Sequence, residues 1–346
     1  MTDFEKLYNF DNLYKAHKAA RLGKRDTREC IEFELNLGKN LTALSDSIKD
    51  GTYTLSGYYS FPVHDPKERI IHALHYRDRV VQHCLCDEIL APLLDKKLIY
   101  DNCACRVGKG THFSLDRLSL FLGRHYKKHG TQGWFLRCDI HKFFDSIDHA
   151  VLKNKLAAVI KDSNIMAFLN KIIDSYEVTP GKGLPLGNQT SQWFALYYLD
   201  SFDRLIKEKL RIKFYTRYMD DCVLIHPDKT YLRECLVKMR TLLASDGLTF
   251  NEKTQIFPLK NGVDYLGWHV YLTGSGAVIR KVKRTTAKKL KRKLRLLEKA
   301  YAAYEIDLPD AKQILSSYRA HLAHGNAHRL YASAVRTFRL ARGSLA

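Results

Sequence analysis

Apolar positions recur at helical spacing near both ends of this 346-residue chain, while the middle carries short, nearly continuous apolar runs separated by turn-prone residues. Residues 1 to 60 show a loose helical pattern with mixed charge, broken at Gly51 and Gly57 ahead of Tyr58, Tyr59 and Phe61. This predicts an N-terminal helical extension leading into a short hairpin. A basic turn, His64-Asp65-Pro66-Lys67-Glu68-Arg69, then precedes an alternating stretch from Ile70 to Leu74 and a helical pattern from Asp78 through Leu94. Ile71, Ala73, Val80, Cys84 and Leu85 are assigned to the core, with the arginines outside it.

Trp134 to Ile140 reads as an apolar strand interrupted only by Arg137, and Ala150 to Ile173 as one or two helices. Pro180, Gly181, Gly183 and Pro185 mark a turn before a helix from about Thr190 to Leu210. Two short apolar strands, around Phe214 and from Cys222 to Ile225, flank Met219-Asp220-Asp221. A helix at about 229 to 245 follows, then a strand at Leu248 to Phe250, and then a strand or hairpin at Val263 to Leu272, with Gly267 expected where backbone approaches closely. Residues 280 to 299 hold 11 Lys or Arg against one Glu, with Leu290, Leu294 and Leu297 at helical spacing, and predict a basic amphipathic helix. One or two further helices are expected over 310 to 338, with fraying after Gly343.

A length of 346 residues and a hydrophobic content of 45% allow two or three cooperating subdomains. The formal charge of +20 adds a field that attracts polyanions and makes their binding salt-dependent. Charge alone is equally compatible with a non-catalytic RNA-binding protein. The 8 cysteines lack zinc-ribbon spacing. Without an apolar leader they are read as reduced thiols of a soluble cytoplasmic protein. Every apolar run meets a charge well before the roughly 20 residues of a membrane span.

Acids at the ends of apolar strands change the picture. Asp139 closes one strand, and Asp220-Asp221 lies in the turn between two others. Charges beside a hydrophobic sheet require a counter-ion, and hard oxygen ligands suit a divalent metal. Aspartates from different strands can bridge two Mg²⁺ ions about 3.5 to 4 Å apart for in-line phosphoryl transfer. A two-metal phosphatase or nuclease shares this chemistry and differs in using water as the nucleophile. For Asp139 alone an N-cap is the plainer account.

Tyr218-Met219-Asp220-Asp221 resembles the signature hairpin of reverse transcriptases, and Asp139-Ile140-His141-Lys142-Phe143-Phe144-Asp145 resembles their first palm motif. The resemblance continues through Gly183-Leu184-Pro185-Leu186-Gly187-Asn188-Gln189-Thr190-Ser191-Gln192, Asn251-Glu252-Lys253-Thr254 and Tyr265-Leu266-Gly267-Trp268. Five ordered motifs over about 62 to 272 are more specific than any one of them. The resemblance implies an α+β right-hand polymerase fold: an N-terminal extension and start of fingers (1–60), fingers (61–132), a palm of antiparallel sheet backed by helices with a fingers-derived insertion (133–272), and a basic helical thumb (273–346).

It further implies an RNA-directed DNA polymerase using two Mg²⁺ ions, with Mn²⁺ able to substitute, and consuming deoxynucleoside triphosphates. Asp139, Asp220, Asp221 and the Ile140 carbonyl are the implied metal ligands, with Asp221 the outer one. Lys253 neutralises the leaving pyrophosphate. Arg69 clamps the triphosphate, with Arg77 also considered, and Arg79 lies closer to the template or in a structural ion pair. Ile140 and His141 offer backbone near the triphosphate. One of Phe143 and Phe144 is core, and Phe144 is the candidate ring under the incoming sugar. Asp145 and Asp148 are assigned to caps or ion pairs. Leu186 and Gln192 border the nucleotide, and Asn251, Gly267 and Trp268 fit a small sheet steadying the primer end. Arg280, Lys281, Lys283, Arg284, Lys288 and Lys289 form a thumb surface along the primer-template duplex.

Pro185-Leu186-Gly187 and Ser191-Gln192, where many relatives have Pro-Gln-Gly and Ser-Pro, resemble reverse transcriptases of diversity-generating retroelements. So does Ser317-Tyr318-Arg319-Ala320-His321-Leu322-Ala323-His324-Gly325-Asn326. That group implies a structured template RNA, errors at template adenines and a small basic oligomeric accessory protein. Ala195 is followed by Leu196 where the group commonly has Asn, a change that related phage-defence (antiviral) reverse transcriptases could also carry.

Overall fold

A computed structural model describes residues 1–64, 68–336 and 338–341. Asp65, Pro66 and Lys67 of the expected basic turn, and the fraying expected after Gly343, lie outside the described residues. Four helices open the chain: α1 (Asp3–Tyr8), α2 (Phe10–Ala20), α3 (Arg28–Leu35) and α4 (Leu37–Lys49). Thr2 and Glu5 close a capping box at α1, Asn9 caps α2, and Leu41, Leu44 and Ile48 turn one face of α4 inward.

The predicted hairpin is β1 (Tyr58–Val63) and β2 (Arg69–Leu74), antiparallel with Tyr58 opposite Leu74. α5 (Tyr76–Leu85) continues through a π turn at Cys86–Leu90 into α6 (Ala91–Leu94), covering the predicted helical stretch. Val80, Cys84 and Leu85 are fully buried, and Ala73 is buried, whereas Ile71 is only half-buried because its strand belongs to a two-stranded ribbon. α7 (Thr111–His129) was not anticipated by the pattern reading.

The central sheet is built from β3 (Trp134–Cys138), β4 (Phe214–Tyr218), β5 (Asp221–His226) and β6 (Gln255–Pro258) in the order β4-β5-β3-β6, every pairing antiparallel. Between β3 and β4 run α8 (Phe143–Ser146), α9 (His149–Ala157), α10 (Ser163–Asp174), α11 (Gln189–Tyr198) and α12 (Asp200–Arg204), the last continuing as a π turn at Leu205–Lys209. α13 (Lys229–Ser245) follows β5.

Both faces of this sheet are covered, which explains why its strands read as continuous apolar runs. Leu136, Cys222 and Leu224 enter one core with the N-terminal helices and α11, while Phe135, Val223 and Ile225 enter the other with α7. The second core continues into a three-stranded sheet of β7 (Val263–Tyr265), β8 (Trp268–Leu272) and β9 (Val278–Val282). The chain closes with α14 (Arg284–Ala302), α15 (Leu308–Ala323) and α16 (His328–Arg336).

Three expectations change. Leu248 to Phe250 is not a strand: Phe250 makes an isolated bridge to Ile140, and the edge strand is β6. Gly267 meets no close backbone; with Leu266 it forms the two-residue loop between paired Tyr265 and Trp268, and both residues have positive φ (46° and 87°), the conformation that favours glycine. The basic helix begins at Arg284, so Arg280 and Lys281 lie on β9 and Lys283 precedes the helix. The β-branched Val278, Ile279 and Val282 pair with β8, and that pairing overrides the helical spacing of the leucines that follow.

Candidate active site

The β4-β5 hairpin closes through two residues, Met219 and Asp220, because Tyr218 pairs with Asp221. Met219 has φ of 55°, a left-handed conformation that costs a non-glycine residue about 1–2 kcal/mol. The turn is held from below by Arg217. Its Nη1 donates to the Met219 carbonyl at 2.8 Å, while Nε and Nη2 donate to the two carboxylate oxygens of Asp203 at 2.7 and 2.6 Å. Both Arg217 and Asp203 are fully buried, and the Tyr215 hydroxyl also donates to Asp203. Leu196, which stands where an Asn was expected, buries its side chain and offers its carbonyl to Arg217 at 3.2 Å.

Asp139 follows β3, one residue beyond the pair Cys138 and Cys222, so register sets it beside the hairpin tip. Its carbonyl accepts from the Asn251 N–H at 2.7 Å, and its own N–H donates to Thr254 Oγ1 at 3.2 Å. His141 N–H donates to the Thr249 carbonyl. The bridge between Ile140 and Phe250 therefore uses the carbonyl before Ile140 and the N–H after it, leaving the Ile140 carbonyl outside the bridge.

Electrostatics bind the three acids into one unit. Burial pushes the Asp220 carboxyl up to about 6, the charges of Asp139 and Asp221 add to that, and Arg69 opposes it. Burial also raises Asp221, against the pull of Arg137, whose Nε and Nη2 donate to its oxygens at 3.2 and 3.0 Å. Neither Asp139 nor Asp220 has an ion pair among the described residues, and no three His, Cys, Asp or Glu side chains there are grouped so that they could hold a metal ion. That donor set fits Mg²⁺, which takes one or two protein carboxylates and completes its shell with water and substrate phosphates.

The other expected residues fall into separate groups. Arg69 opens β2, exposed, and acts on Asp220; the turn before it includes the undescribed residues. Arg77 is committed elsewhere: it donates to the Thr54 carbonyl at 3.2 Å, and its guanidinium lies 5.1 Å from the Tyr53 ring centre. Arg79 and Gln192 share a cleft between α5 and the loop before α11. Phe143 is buried and Phe144 half-buried against it, edge to face. Leu186 is half-buried, while the side chains of His141 and Lys253 are exposed. Asp148 caps α9, accepting from the Ala150 and Val151 N–H groups.

Asn251 is not in the small sheet but in the turn against Asp139. Trp268 is core: Gly325 packs on its ring so tightly that a Cβ would overlap it. Of the basic set, Arg280 ties β9 to α7 through Asp116 at 2.7 Å and Ser119 at 2.9 Å. Lys283 pairs with Asp264 at 3.1 Å, and Lys281 lies over the Tyr271 ring. On α14, Leu290, Leu294 and Leu297 face inward, Arg284 and Lys288 are exposed, and Lys289 is half-buried. Sequence reading missed Arg137, Arg217 and Asp203. The available signal was a charge inside an otherwise apolar strand, which demands a buried partner.

The comparisons bear first on architecture. The fold resembles telomerase from Candida albicans, solved in complex with a fragment of telomeric RNA, at a TM-score of 0.51 and 15% identity, over 84% of this chain and 58% of that one. With its antiparallel sheets this places the protein in the class of right-hand polymerase folds. Residues 62–270 match the reverse transcriptase (RNA-dependent DNA polymerase) family, and the chain belongs to that family. The COX1/OXI3 intron 2 protein of Saccharomyces cerevisiae is 25% identical over 176 residues, covering 49% of this chain but only 18% of the yeast protein. This chain therefore spans about a fifth of that relative. No helix among the described residues is long and apolar enough to cross a membrane.

Proposed function

We infer that the chain copies RNA into DNA, adding deoxynucleotides to a primer 3′ end by metal-assisted nucleotidyl transfer. The carrying observation is the strand register that sets Asp139 beside the Asp220-Asp221 hairpin tip, where the charges of Asp139, Asp221 and Arg69 all act on the Asp220 carboxyl. Two bound Mg²⁺ ions, for which Mn²⁺ can substitute, would lower the pKa of the primer hydroxyl and stabilise the leaving pyrophosphate. Asp139, Asp220 and the Ile140 carbonyl would hold them, while Arg137 keeps Asp221 oriented as the outer acid. Arg69 presents its planar fork to the triphosphate, and Lys253 neutralises the departing phosphates. Phe144 lies under the sugar, and Arg284, Lys288 and Lys289 follow the duplex backbone, assisted by Lys281 and Lys283. Residues 1–60 form an extension that begins the fingers, 61–132 serve as fingers, 133–272 as palm and 273–346 as thumb.

The test is extension of a DNA primer annealed to RNA, with Mg²⁺ and deoxynucleotides. Extension by wild type, and its loss in Asp220→Asn with RNA affinity retained, supports the reading; equal synthesis by that variant ends it.

Within this activity the chain serves a diversity-generating retroelement, with a structured template RNA and a small basic oligomeric accessory protein. Leu186 supports the error-prone part of that reading: an apolar, half-buried side chain cannot hydrogen-bond the nascent pair, so discrimination against a poorly placed pair weakens. With natural RNA and partners present, wild-type cDNA should carry excess substitutions opposite template adenines. An even error spectrum would favour the phage-defence alternative.

A further inference from the structure

The loop 178–184 docks on the junction between α8 and α9 through the backbone. Gly183 N–H donates to the Ile147 carbonyl, Leu184 N–H to the Phe144 carbonyl and His149 N–H to the Gly181 carbonyl, each at 2.9 Å. A side chain completes the docking. His149 Nε2 lies 2.8 Å from the Gly183 carbonyl oxygen, and because a carbonyl only accepts, Nε2 carries the proton and donates. The ring is 5% exposed, so water does not compete for this bond. Its Nδ1 faces Asp174 at 3.7 Å, and Asp174 is itself ion-paired to Lys153. The fit is close: Gly183 has φ of 113°, and a Cβ there would lie 2.8 Å from Val178 Cγ2.

Each side of the docking leads to a residue assigned to the nucleotide. On one side, α8 is a single turn, Phe143–Ser146, entered from Lys142 at φ of 41°. So short a helix is not stable by itself, and the Phe144 ring takes its orientation from whatever grips the backbone around it. On the other side, Leu186 follows Gly183 through Leu184 and Pro185, both buried. Pro185 fixes its own φ and restricts Leu184, so a shift of Gly183 passes on to Leu186 and is not absorbed between them. Without the imidazole, the buried Gly183 carbonyl loses its side-chain donor, and the loop moves to recover one.

We propose that His149 is a positioning residue for nucleotide selection: by holding Gly183 it fixes Phe144 and Leu186 relative to each other, so that discrimination by sugar and discrimination by base rise and fall together. The proposal rests on the polymerase reading above, which sets Phe144 under the incoming sugar and Leu186 beside the nascent pair. His149 acts through the loop and not on the nucleotide.

The test compares three substitutions on a defined primer-template. His149→Gln carries an amide NH₂ near the place of Nε2 and keeps the bond, whereas His149→Asn is too short to reach and His149→Leu has no donor. Two ratios of kcat/KM are measured: ribonucleotide against deoxynucleotide, and mismatched against matched deoxynucleotide. Both should rise about tenfold in the Asn and Leu variants, because the correct nucleotide loses contacts that the wrong ones never made, and both should stay within about threefold of wild type in His149→Gln. Melting curves confirm folding, and either bond-losing variant suffices if the other does not fold. A merely structural histidine slows every nucleotide alike, so unchanged ratios in a folded, active Asn or Leu variant overturn the proposal. A change in one ratio alone overturns it too, as does a folded His149→Gln that behaves like the other two. No extension by the wild-type chain would end the polymerase reading and this proposal with it, whereas wild-type extension with ratios indifferent to position 149 ends this proposal alone.

Discussion

Arg217 and Asp203 form a fully buried bidentate ion pair, and the third guanidinium nitrogen holds the carbonyl of Met219 beside the candidate catalytic aspartates. The pair thus links α12 to the hairpin tip and restrains a left-handed residue that would otherwise relax. Removing one partner strands the other charge. Arg217→Met should destabilise the fold by about 3–5 kcal/mol. Adding Asp203→Leu should recover much of that stability, but not primer extension, because the Met219 carbonyl remains unheld. Recovery of both in the double variant would make the pair purely structural. Chemical denaturation together with single-turnover extension separates the outcomes.

Arg137 and Asp221 make a second cross-strand pair, and its expected effect is different. Arg137→Gln keeps a donor but removes the charge that opposes the raised Asp221 carboxyl. Extension should fall at least tenfold with little change in primer-template affinity, since the residue faces the acids rather than the duplex. Equal loss of affinity and rate would reassign it to nucleic-acid contact.

Phe144 is half-buried against the fully packed Phe143, and the two rings should answer truncation differently. Phe143→Ala should cost roughly 3–5 kcal/mol as a core cavity. Phe144→Val should raise the ratio of ribonucleotide to deoxynucleotide kcat/KM by removing the surface a 2′-hydroxyl would strike. An unchanged ratio in a folded, active Phe144→Val protein takes the ring out of the site.

His125 gives a pH dependence of stability. Burial lowers its imidazole below the ordinary value of 6.5, against the bond to the Gln132 carbonyl that raises it, while His129 and His226 push it further down. The unfolded chain therefore accepts a proton that the folded one refuses, and stability present above pH 6.5 is lost as pH falls through the folded value. His17 acts in the same direction, also chiefly through burial. Asp220, raised to about 6, acts in the opposite one, so the comparison must be between proteins differing only at position 125. Between about pH 7.5 and 5.5, Tm should drop less in His125→Gln than in wild type. Equal drops would remove His125 as a source.

Motif order and strand alternation were legible in the chain itself. Cys222 to Ile225 reads as a buried strand because its residues alternate between two apolar faces, and α13 begins at an Asp228 cap that local chemistry dictates. The acids were legible because unpaired charge at the end of an apolar strand demands a counter-ion. What tertiary structure decided is which charge answers which. Arg137 reaches Asp221 across 84 residues because register sets their strands side by side, and Arg217 finds Asp203 because α12 packs beneath the hairpin. Arg280 was read as helix surface and is instead a strand residue tied to α7, since pairing with β8 outweighs the spacing of the leucines downstream. Periodicity records which face of an element is buried, and it carries no information about the partner brought against that face by a contact distant in sequence.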